Sequence, residues 1–209
     1  MNRVPAPGRA SGDFESPQLT SAAVATAGGD RVGVILGLQP AWRGASLVAP
    51  AFTASGVAGD NLVLHLALAR APTGSALVAS LEGEAAAGHW GELMCIAAAA
   101  AGIQGLVVSG TVRDLAQIRA RRFPVFHAGV GPRPASKDCR GALASTVRIG
   151  GAEISPGDLI VADVDGVAVI PRQLIDGVLA DVLLLEQREA ELVRLLESGT
   201  STLDALGLG

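Results

Sequence analysis

Two oppositely charged residues, Arg113 and Asp114, stand side by side after an apolar run at 105–108 and a Ser-Gly pair. A strand that ends in a glycine turn places the next side chains at the mouth of an α/β sheet, where ligands usually bind. The planar guanidinium of Arg113 is suited to a carboxylate, and the Asp114 carboxylate is a hard ligand suited to Mg²⁺ or Mn²⁺. On spacing alone, an Arg–Asp pair that caps a helix and faces water explains the pattern equally well.

A second candidate is the segment Gly-His-Trp-Gly-Glu-Leu-Met at 88–94. A glycine before a helix leaves backbone amides free at the positive end of the helix dipole, which favours an anion. Taken alone, the segment is better explained as a plain helix start, with Trp90 as a core anchor and Glu92 favouring the first turn. His89 could be a ligand, but a single histidine beside a tryptophan is more often a packing residue.

Three aspartates, Asp158, Asp163 and Asp165, lie within the segment 155–167. Carboxylates this close suggest a calcium loop, but the EF-hand spacing is absent and the residues between them are strand-like. The Pro-Gly-Asp and Asp-Gly steps that contain two of them are typical of turns. We therefore interpret these aspartates as turn formers.

The remaining reactive side chains do not suggest a further site. Cys95 and Cys139 lack the spacing of a zinc site and are interpreted as reduced thiols. His65 and His127 lie inside apolar segments and are interpreted as structural. The only lysine of the sequence, Lys137, lies in a Pro-rich loop that we expect to be exposed. Because an imine-forming aldolase needs a desolvated lysine, that mechanism is disfavoured, and Lys137→Ala is expected to be nearly silent.

Composition and charge exclude several classes of function. The 209-residue chain is 49% hydrophobic and 17% charged, which indicates a globular domain. Its net charge of −4 does not favour nucleic acid as a partner, and Arg119, Arg121 and Arg122 are interpreted as a solvated helix face. There is no nucleotide-phosphate loop, dinucleotide fingerprint or serine nucleophile motif. Neither a membrane-spanning segment nor a signal peptide is predicted, so we expect a cytoplasmic protein.

The elements that must position the candidate residues indicate one mixed α/β domain at 19–209, preceded by a flexible tail at 1–18 that is rich in Pro, Gly and Ser. Ser16 or Thr20 can cap the first helix. Helices are predicted at 19–27, 61–71, 91–101, 112–120 and about 172–196. Strands are predicted at 31–38, 45–49, 75–80, 105–108, 124–128, 152–154, 159–162 and 167–170.

The leucines of the last predicted helix give this helix more apolar surface than a lone exposed helix normally shows. They are Leu183, Leu184, Leu185, Leu192, Leu195 and Leu196. This pattern favours a trimer or hexamer, although packing of the helix on its own domain explains it as well.

Two long segments resemble one family. GHWGELMCIAAAAAGIQGLVVSGTVRD at 88–114 is similar to that family's W-G-E-L motif, Ala-rich helix and G-x-V-R-D block. GGAEISPGDLIVADVDGVAVIP at 150–171 resembles its second block, G-G-x-x-V-x-P-G-D-x-x-x-A-D-x-D-G-V-x-x-I-P. The chain, over roughly 19–199, thus resembles the family of the 4-hydroxy-4-methyl-2-oxoglutarate aldolases and the regulator of ribonuclease activity A.

The resemblance implies a swivelling β/β/α fold assembled as a trimer or a dimer of trimers. It also implies that Asp114 holds a divalent cation, Mg²⁺ or Mn²⁺, partly through water, and that Arg113 binds the substrate. An acid from the C-terminal helix of a neighbouring subunit, Glu189 or Glu191, would assist. The substrate carboxylate would be held by the backbone amides of Gly91, Glu92, Leu93 and Met94.

The reaction that the resemblance implies is a class II retro-aldol cleavage. A 4-hydroxy-2-oxo acid such as 4-hydroxy-4-methyl-2-oxoglutarate would yield pyruvate, with oxaloacetate decarboxylation as a side activity. The cation and Arg113 would stabilise the pyruvate enolate, and a water molecule or a nearby carboxylate would act as the base.

Two departures from the family pattern leave two questions open: which substrate the protein uses, and whether it is active. Ser109 stands where the family usually has an aspartate, and Thr26 aligns with a second one. One alternative function is a non-catalytic binding protein resembling the ribonuclease regulator. Another is a methyltransferase, which is disfavoured because a glycine-rich cofactor loop is missing.

Overall fold

The computed structural model describes residues 19–83 and 87–208, so the predicted tail at 1–18 lies outside the described residues. The strands are β1 (Gly33–Ile35), β2 (Gln39–Pro40), β3 (Leu47–Val57), β4 (Ala76–Glu82), β5 (Ala87–Gly88), β6 (Gly105–Val112), β7 (Val125–Val130), β8 (Arg133–Pro134), β9 (Ala142–Leu143), β10 (Val147–Ile149), β11 (Ala152–Ile154), β12 (Leu159–Ala162) and β13 (Val167–Ile170). The helices are α1 (Ser21–Gly28), α2 (Leu62–Leu68), α3 (Glu92–Ala100), α4 (Leu115–Arg121), α5 (Ile175–Glu197) and α6 (Thr202–Ala205).

A mixed nine-stranded sheet forms the centre of the domain, in the order β1-β13-β12-β3-β4-β6-β7-β2 with β9 paired to β3. Strands β3, β4, β6 and β7 are parallel, and α2, α3 and α4 lie in the connections between them. The antiparallel β12–β13 hairpin extends the sheet beyond β3, where Ala49 pairs with Ile160. Because the carboxyl ends of parallel strands share one edge of a sheet, the residues that follow β3, β4 and β6 lie near one another.

Apolar side chains cover both faces of this sheet. On one face, α2, α3 and α4 pack on the parallel strands through fully buried Leu64, Trp90 and Leu106. On the other face, the β10–β11 hairpin contributes Ile154 to a core that includes Phe126. Full burial of a side chain of this size contributes about 1.5–3 kcal/mol. Both faces therefore hold the ends of the parallel strands firmly in place.

Helices α1 and α5 pack against the β12–β13 hairpin rather than on the parallel strands. Asp163 fixes the start of α1, because its carboxylate accepts hydrogen bonds from the Ser21 amide and hydroxyl at 2.8 and 2.6 Å. Val182 is the last buried residue of α5. Beyond it, large apolar side chains of α5, α6 and the residues after α6 are exposed, and we call this the C-terminal apolar surface: Leu183, Leu184, Val193, Leu195, Leu196, Leu203, Leu206 and Leu208.

The predicted mixed α/β domain with a C-terminal helix is confirmed. Thr20 caps α1, since its hydroxyl oxygen accepts a hydrogen bond from the Ala23 amide. Most other predicted elements are present with shifted ends. The strand predicted at 31–38 is an exception, because a 3₁₀ turn takes up its start and β1 contains only three residues.

The prediction that Ser109 and Gly110 end a strand was wrong. β6 continues to Val112, with a register shift against β7 between Val108 and Thr111, so the predicted helix at 112–120 begins only at Leu115. Neighbouring β7 supplies pairing partners as far as Val130, and this favours the longer strand.

Gly110 serves close packing rather than a turn. A Cβ atom at this position would lie 2.8 Å from Leu81 and 2.9 Å from the His89 ring. A side chain at position 110 would therefore displace His89 from the end of β6.

Candidate active site

Arg113 and Asp114 form the short connection between the end of β6 and the start of α4. The Arg113 amide donates to the Trp90 carbonyl at 2.8 Å, which ties this connection to the segment before α3. Asp114 adopts a left-handed backbone conformation, with φ of 57°. Aspartate is among the few non-glycine residues that visit this conformation, so the sequence suits the sharp change of direction.

The Asp114 carboxylate points to α3 and not to its own helix. Its Oδ2 atom accepts a hydrogen bond from the Glu92 amide at 3.3 Å and lies 3.6 Å from Arg113 Nε. No side-chain cap forms at the start of α4. The helix-cap part of the alternative interpretation is therefore wrong, because the carboxylate lies at the positive end of a neighbouring helix, where a negative charge is stabilised. Its other part is confirmed, since both side chains are 39% exposed to water.

Two glycines allow this approach. A Cβ atom at Gly91 would lie 2.5 Å from Asp114 Oδ2, and one at Gly88 would lie 2.6 Å from Arg113 Cβ. Neither glycine has the positive φ that would explain it as a turn residue. Their role is to leave room for the Arg–Asp pair.

The predicted amides at the start of α3 differ in their availability. The Met94 amide already donates to the Gly91 carbonyl at 3.1 Å, and the Glu92 amide faces Asp114. The Leu93 amide has no partner among the described residues. The Gly91 amide likewise has no partner there, so the amides of Gly91 and Leu93 are the members of the proposed group that are free for an anion.

Glu92 itself holds two helices together. Its carboxylate pairs with the Arg121 guanidinium of α4 through contacts of 2.9 and 2.7 Å. This pair neutralises the Glu92 charge beside the cleft. Its amide and its side chain thus serve different purposes.

Arg113 and Asp114 line a cleft of about 200 Å³. The cleft combines both predicted segments with residues that the sequence analysis did not place in a site, from α2 and from the loop after β8. The lining residues are Asn61, His65, Gly88, His89, Gly91, Glu92, Leu93, Met94, Arg113, Asp114 and Lys137.

Asn61 lines this cleft and carries a buried acceptor without a partner. Its Nδ2 donates to the His89 carbonyl at 2.9 Å, which fixes the orientation of the amide, while the buried Oδ1 has no hydrogen-bond partner among the described residues. A buried polar atom without a partner costs about 1–3 kcal/mol. A ligand that donates a hydrogen bond to Oδ1 would recover this energy.

Asp60 anchors the loop that carries Lys137. Its carboxylate accepts hydrogen bonds from the Ser136 hydroxyl at 2.5 Å and the Asp138 amide at 2.6 Å. Burial alone would raise the pKa of Asp60, but these hydrogen bonds and that from the Leu62 amide outweigh burial and lower the pKa to about 2. The anchor is therefore fully formed above the ordinary pKa of 3.8 and weakens as the pH falls towards 2.

Lys137 is exposed, as predicted, but it lies at the candidate cleft. The expectation that Lys137→Ala is nearly silent no longer follows, because an ammonium group at the same cleft as Arg113 attracts anions.

His65 was predicted to be a structural residue, but its side chain is exposed at the cleft. Partial burial and then the Lys137 charge lower the pKa of His65, so its ring is neutral at neutral pH.

His89 and His127 are buried, in agreement with their predicted structural roles. The His89 Nε2 accepts from the Gly59 amide at 2.8 Å, so Nδ1 carries the proton and donates to the Thr111 carbonyl at 3.1 Å. Burial lowers the pKa of both rings. With both nitrogens engaged, His89 has no lone pair left for a metal.

Four predicted residues are not brought to the cleft within this chain. Ser109 accepts a hydrogen bond from the Leu81 amide at 2.8 Å and thereby joins β6 to β4. Thr26 is exposed on α1, and Glu189 and Glu191 are exposed on α5; none of the three lines the cleft.

The other titratable candidates serve the fold. The Asp158 carboxylate accepts hydrogen bonds from the Ser155 and Arg172 amides at 2.7 and 2.9 Å, so it forms a turn as predicted. Cys95 and Cys139 are free thiols. Burial raises the pKa of Cys95 to about 11, which rules it out as a nucleophile at neutral pH. No helix within 19–83 and 87–208 is long and apolar enough to cross a membrane.

Comparisons with known proteins agree with this architecture. A protein of Halalkalibacterium halodurans with the provisional name 4-hydroxy-4-methyl-2-oxoglutarate aldolase is 34% identical over 142 residues, which cover 68% of each chain. Two further curated relatives are matched over only 28% and 61% of their own length.

Solved structures share the fold. An uncharacterized protein from Pseudomonas syringae superposes with a TM-score of 0.82 and 27% identity over 99% of this chain and 100% of that one. The RNase ES inhibitor family member RraAS2 of Streptomyces coelicolor gives a TM-score of 0.74 and 27% identity over 85% and 92% of the two chains. The RraA-like family model, described as Aldolase/RraA, matches residues 19–169. The chain belongs to the Aldolase/RraA family.

Proposed function

We propose that the protein is a carbon–carbon lyase that cleaves a 4-hydroxy-2-oxo acid, such as 4-hydroxy-4-methyl-2-oxoglutarate, to pyruvate. Oxaloacetate decarboxylation is the proposed side activity. The observation that carries this proposal is the cleft in which Arg113, Asp114 and the free Leu93 amide converge. An anion clamp and a cation ligand side by side suit a substrate with a carboxylate next to a keto group.

The donors of the cleft fit a hard divalent cation held through a single carboxylate. No group of three or more His, Cys, Asp or Glu side chains clusters in the described part of the chain, so a site with several protein ligands is not offered there. Mg²⁺ is commonly bound by one or two carboxylates together with water and substrate oxygens. Asp114 would be the ligand, and a bound cation would supply a Lewis acid for the keto oxygen.

The chain's own groups would guide each stage of the cleavage. Arg113 would bind the keto acid end of the substrate, and the Leu93 amide would donate to its carboxylate. The unpaired Oδ1 of Asn61 would accept a hydrogen bond from a substrate hydroxyl. Lys137 at the cleft would attract the second carboxylate.

The bond changes balance without any oxidant or reductant. The 4-hydroxyl proton leaves to a base, the C3–C4 bond breaks, and C4 becomes a carbonyl. The electron pair of that bond forms the enolate of pyruvate, which Arg113 would stabilise until a proton is added at C3. The base would be a water molecule or a carboxylate of the cleft.

Pyruvate release tests this proposal directly. With Mg²⁺ or Mn²⁺ present, 4-hydroxy-4-methyl-2-oxoglutarate and oxaloacetate should both yield pyruvate in a coupled assay. EDTA should abolish the release, and added cation should restore it, since the bound cation is the proposed Lewis acid for the keto oxygen. Lys137→Ala should raise KM but keep the dependence on cation. EDTA-resistant turnover, together with trapping of pyruvate on Lys137 by borohydride, would contradict the mechanism.

A neighbouring subunit is part of the same proposal. We propose that the C-terminal apolar surface packs against further copies of the chain, as a trimer or hexamer, and brings Glu189 or Glu191 to the cleft of a neighbour. Exposed leucines on this scale are typical of an interface. Light scattering at micromolar concentration should report a trimer or hexamer, and Leu184→Glu with Leu195→Glu should reduce the mass. A monomeric wild-type protein would contradict the shared site.

A non-catalytic role as a regulatory binding protein is the second candidate. It is favoured by the small number of carboxylates at the cleft, whose lining contributes Glu92 and Asp114, with Glu92 already paired to Arg121. Absence of pyruvate from a screen of 4-hydroxy-2-oxo acids with both cations would support this role instead.

A further inference from the structure

A second cleft, of about 560 Å³, lies beside the carboxyl end of α4 and is lined by residues distinct from those of the candidate active site. Its walls are Trp42, Arg43, Ala116, Arg119, Ala120 and Arg122. Three of these six residues carry a positive charge, and none carries a negative one. We propose that this cleft binds a compact anion with about three negative charges, in the manner of pyrophosphate or a tricarboxylate.

The three arginines lack partners of opposite charge within residues 19–83 and 87–208. The ion pairs formed there use other arginines, including the adjacent Arg121, which pairs with Glu92. Arg43, Arg119 and Arg122 are exposed and converge on one cleft from two separate segments. Like charges gathered in this way repel one another, and a bound anion relieves that repulsion.

Stabilisation of a helix dipole does not explain the whole cluster. Arg119 and Arg122 lie at the carboxyl end of α4, where positive charges are favourable. Arg43, however, comes from a separate segment, the turn before β3, and lines the cleft without belonging to α4. A ligand that contacts all three guanidinium groups explains their convergence.

The floor of the cleft is held in place by the fold. The Trp42 indole N–H donates to the Phe123 carbonyl at 3.0 Å, which joins the turn carrying Arg43 to the residue after Arg122. On α4, the side of the helix that carries Arg119 presents only the small side chains of Ala116 and Ala120. The ring and the two alanines leave space among the three exposed arginines, as an oxyanion site requires.

Titration calorimetry on the metal-free full chain, with sodium pyrophosphate and with citrate at constant ionic strength, tests the site. One anion per chain should bind, and Arg119→Gln should weaken binding about tenfold, since it removes one of the three positive charges that face the anion. Arg70→Gln removes the same charge from an exposed position outside the cleft and is the matched control. Tighter binding of pyrophosphate identifies a phosphate ligand and tighter binding of citrate a tricarboxylate; either supports the site.

Tryptophan emission locates the binding. The chain has two tryptophans, and of these Trp42 lines this cleft and Trp90 does not, so an emission change that Arg119→Gln reduces should arise from Trp42. If Arg119→Gln does not fold, Arg43→Gln in the exposed turn replaces it. No binding at millimolar concentration, or equal weakening by Arg70→Gln, would overturn the proposal. Neither outcome bears on pyruvate release, because Arg113 and Asp114 lie outside this cleft.

Discussion

Arg113→Lys is expected to lower kcat/KM for pyruvate release by about 100-fold or more, while the thermal midpoint changes little. The lysine keeps the positive charge but loses the planar pair of donors that can bind a carboxylate and a keto oxygen together. The loss should appear mainly in kcat, because the proposed role of Arg113 is to stabilise charge that develops as the carbon–carbon bond breaks. Coupled pyruvate assays over a range of substrate concentrations measure both parameters.

Arg148→Lys is the matched control for this experiment. Arg148 lies in the β10–β11 hairpin with a side chain that is 78% exposed, and its ion pair with Glu153 is remote from the cleft. Its variant should retain wild-type activity. An Arg113→Lys protein that also retains wild-type kcat would remove Arg113 from the mechanism.

Asp114→Asn should weaken Mn²⁺ binding about tenfold or more and lower turnover in parallel. Asparagine removes the charged ligand but tolerates the left-handed backbone of this position, so the variant should fold. Binding of Mn²⁺ by calorimetry, pyruvate release and circular dichroism separate loss of the ligand from loss of the structure.

The exposed Asp165 supplies the corresponding control, because Asp165→Asn removes one negative charge outside the cleft. It should bind cation and turn over as the wild type does. A folded Asp114→Asn protein with wild-type cation affinity would show that another group holds the metal.

Much of the fold could be predicted from local patterns. Apolar runs bounded by glycine mark β4 and β12, and the Ala-rich helix after Gly91 is α3. The end of β6 could not be predicted in this way, because its last residues are strand through pairing with β7 and with the segment before α3, where Trp90 pairs with Val112. A Ser-Gly pair is a turn signal in isolation, and tertiary pairing overrides it.

Only the part of the candidate site that is formed by one continuous stretch of sequence could be predicted. Arg113 and Asp114 stand out because they follow an apolar strand. Asn61, His65 and Lys137 do not, because they reach the cleft from other elements. Asn61 is placed there by the start of α2, and Lys137 by the hydrogen bonds that Asp60 accepts from the loop after β8. Such contacts leave no periodic signal in a sequence.

The position of β3 between β4 and β12 has a consequence for the way the chain folds during synthesis. β3 pairs with β4 soon after both have emerged, but its other edge waits for β12, where Ala49 meets Ile160. Until most of the chain has been made, an apolar strand edge is open to wrong partners. Native pairings of such long sequence separation also slow folding. Truncation before β12 should therefore yield aggregation rather than a smaller stable domain.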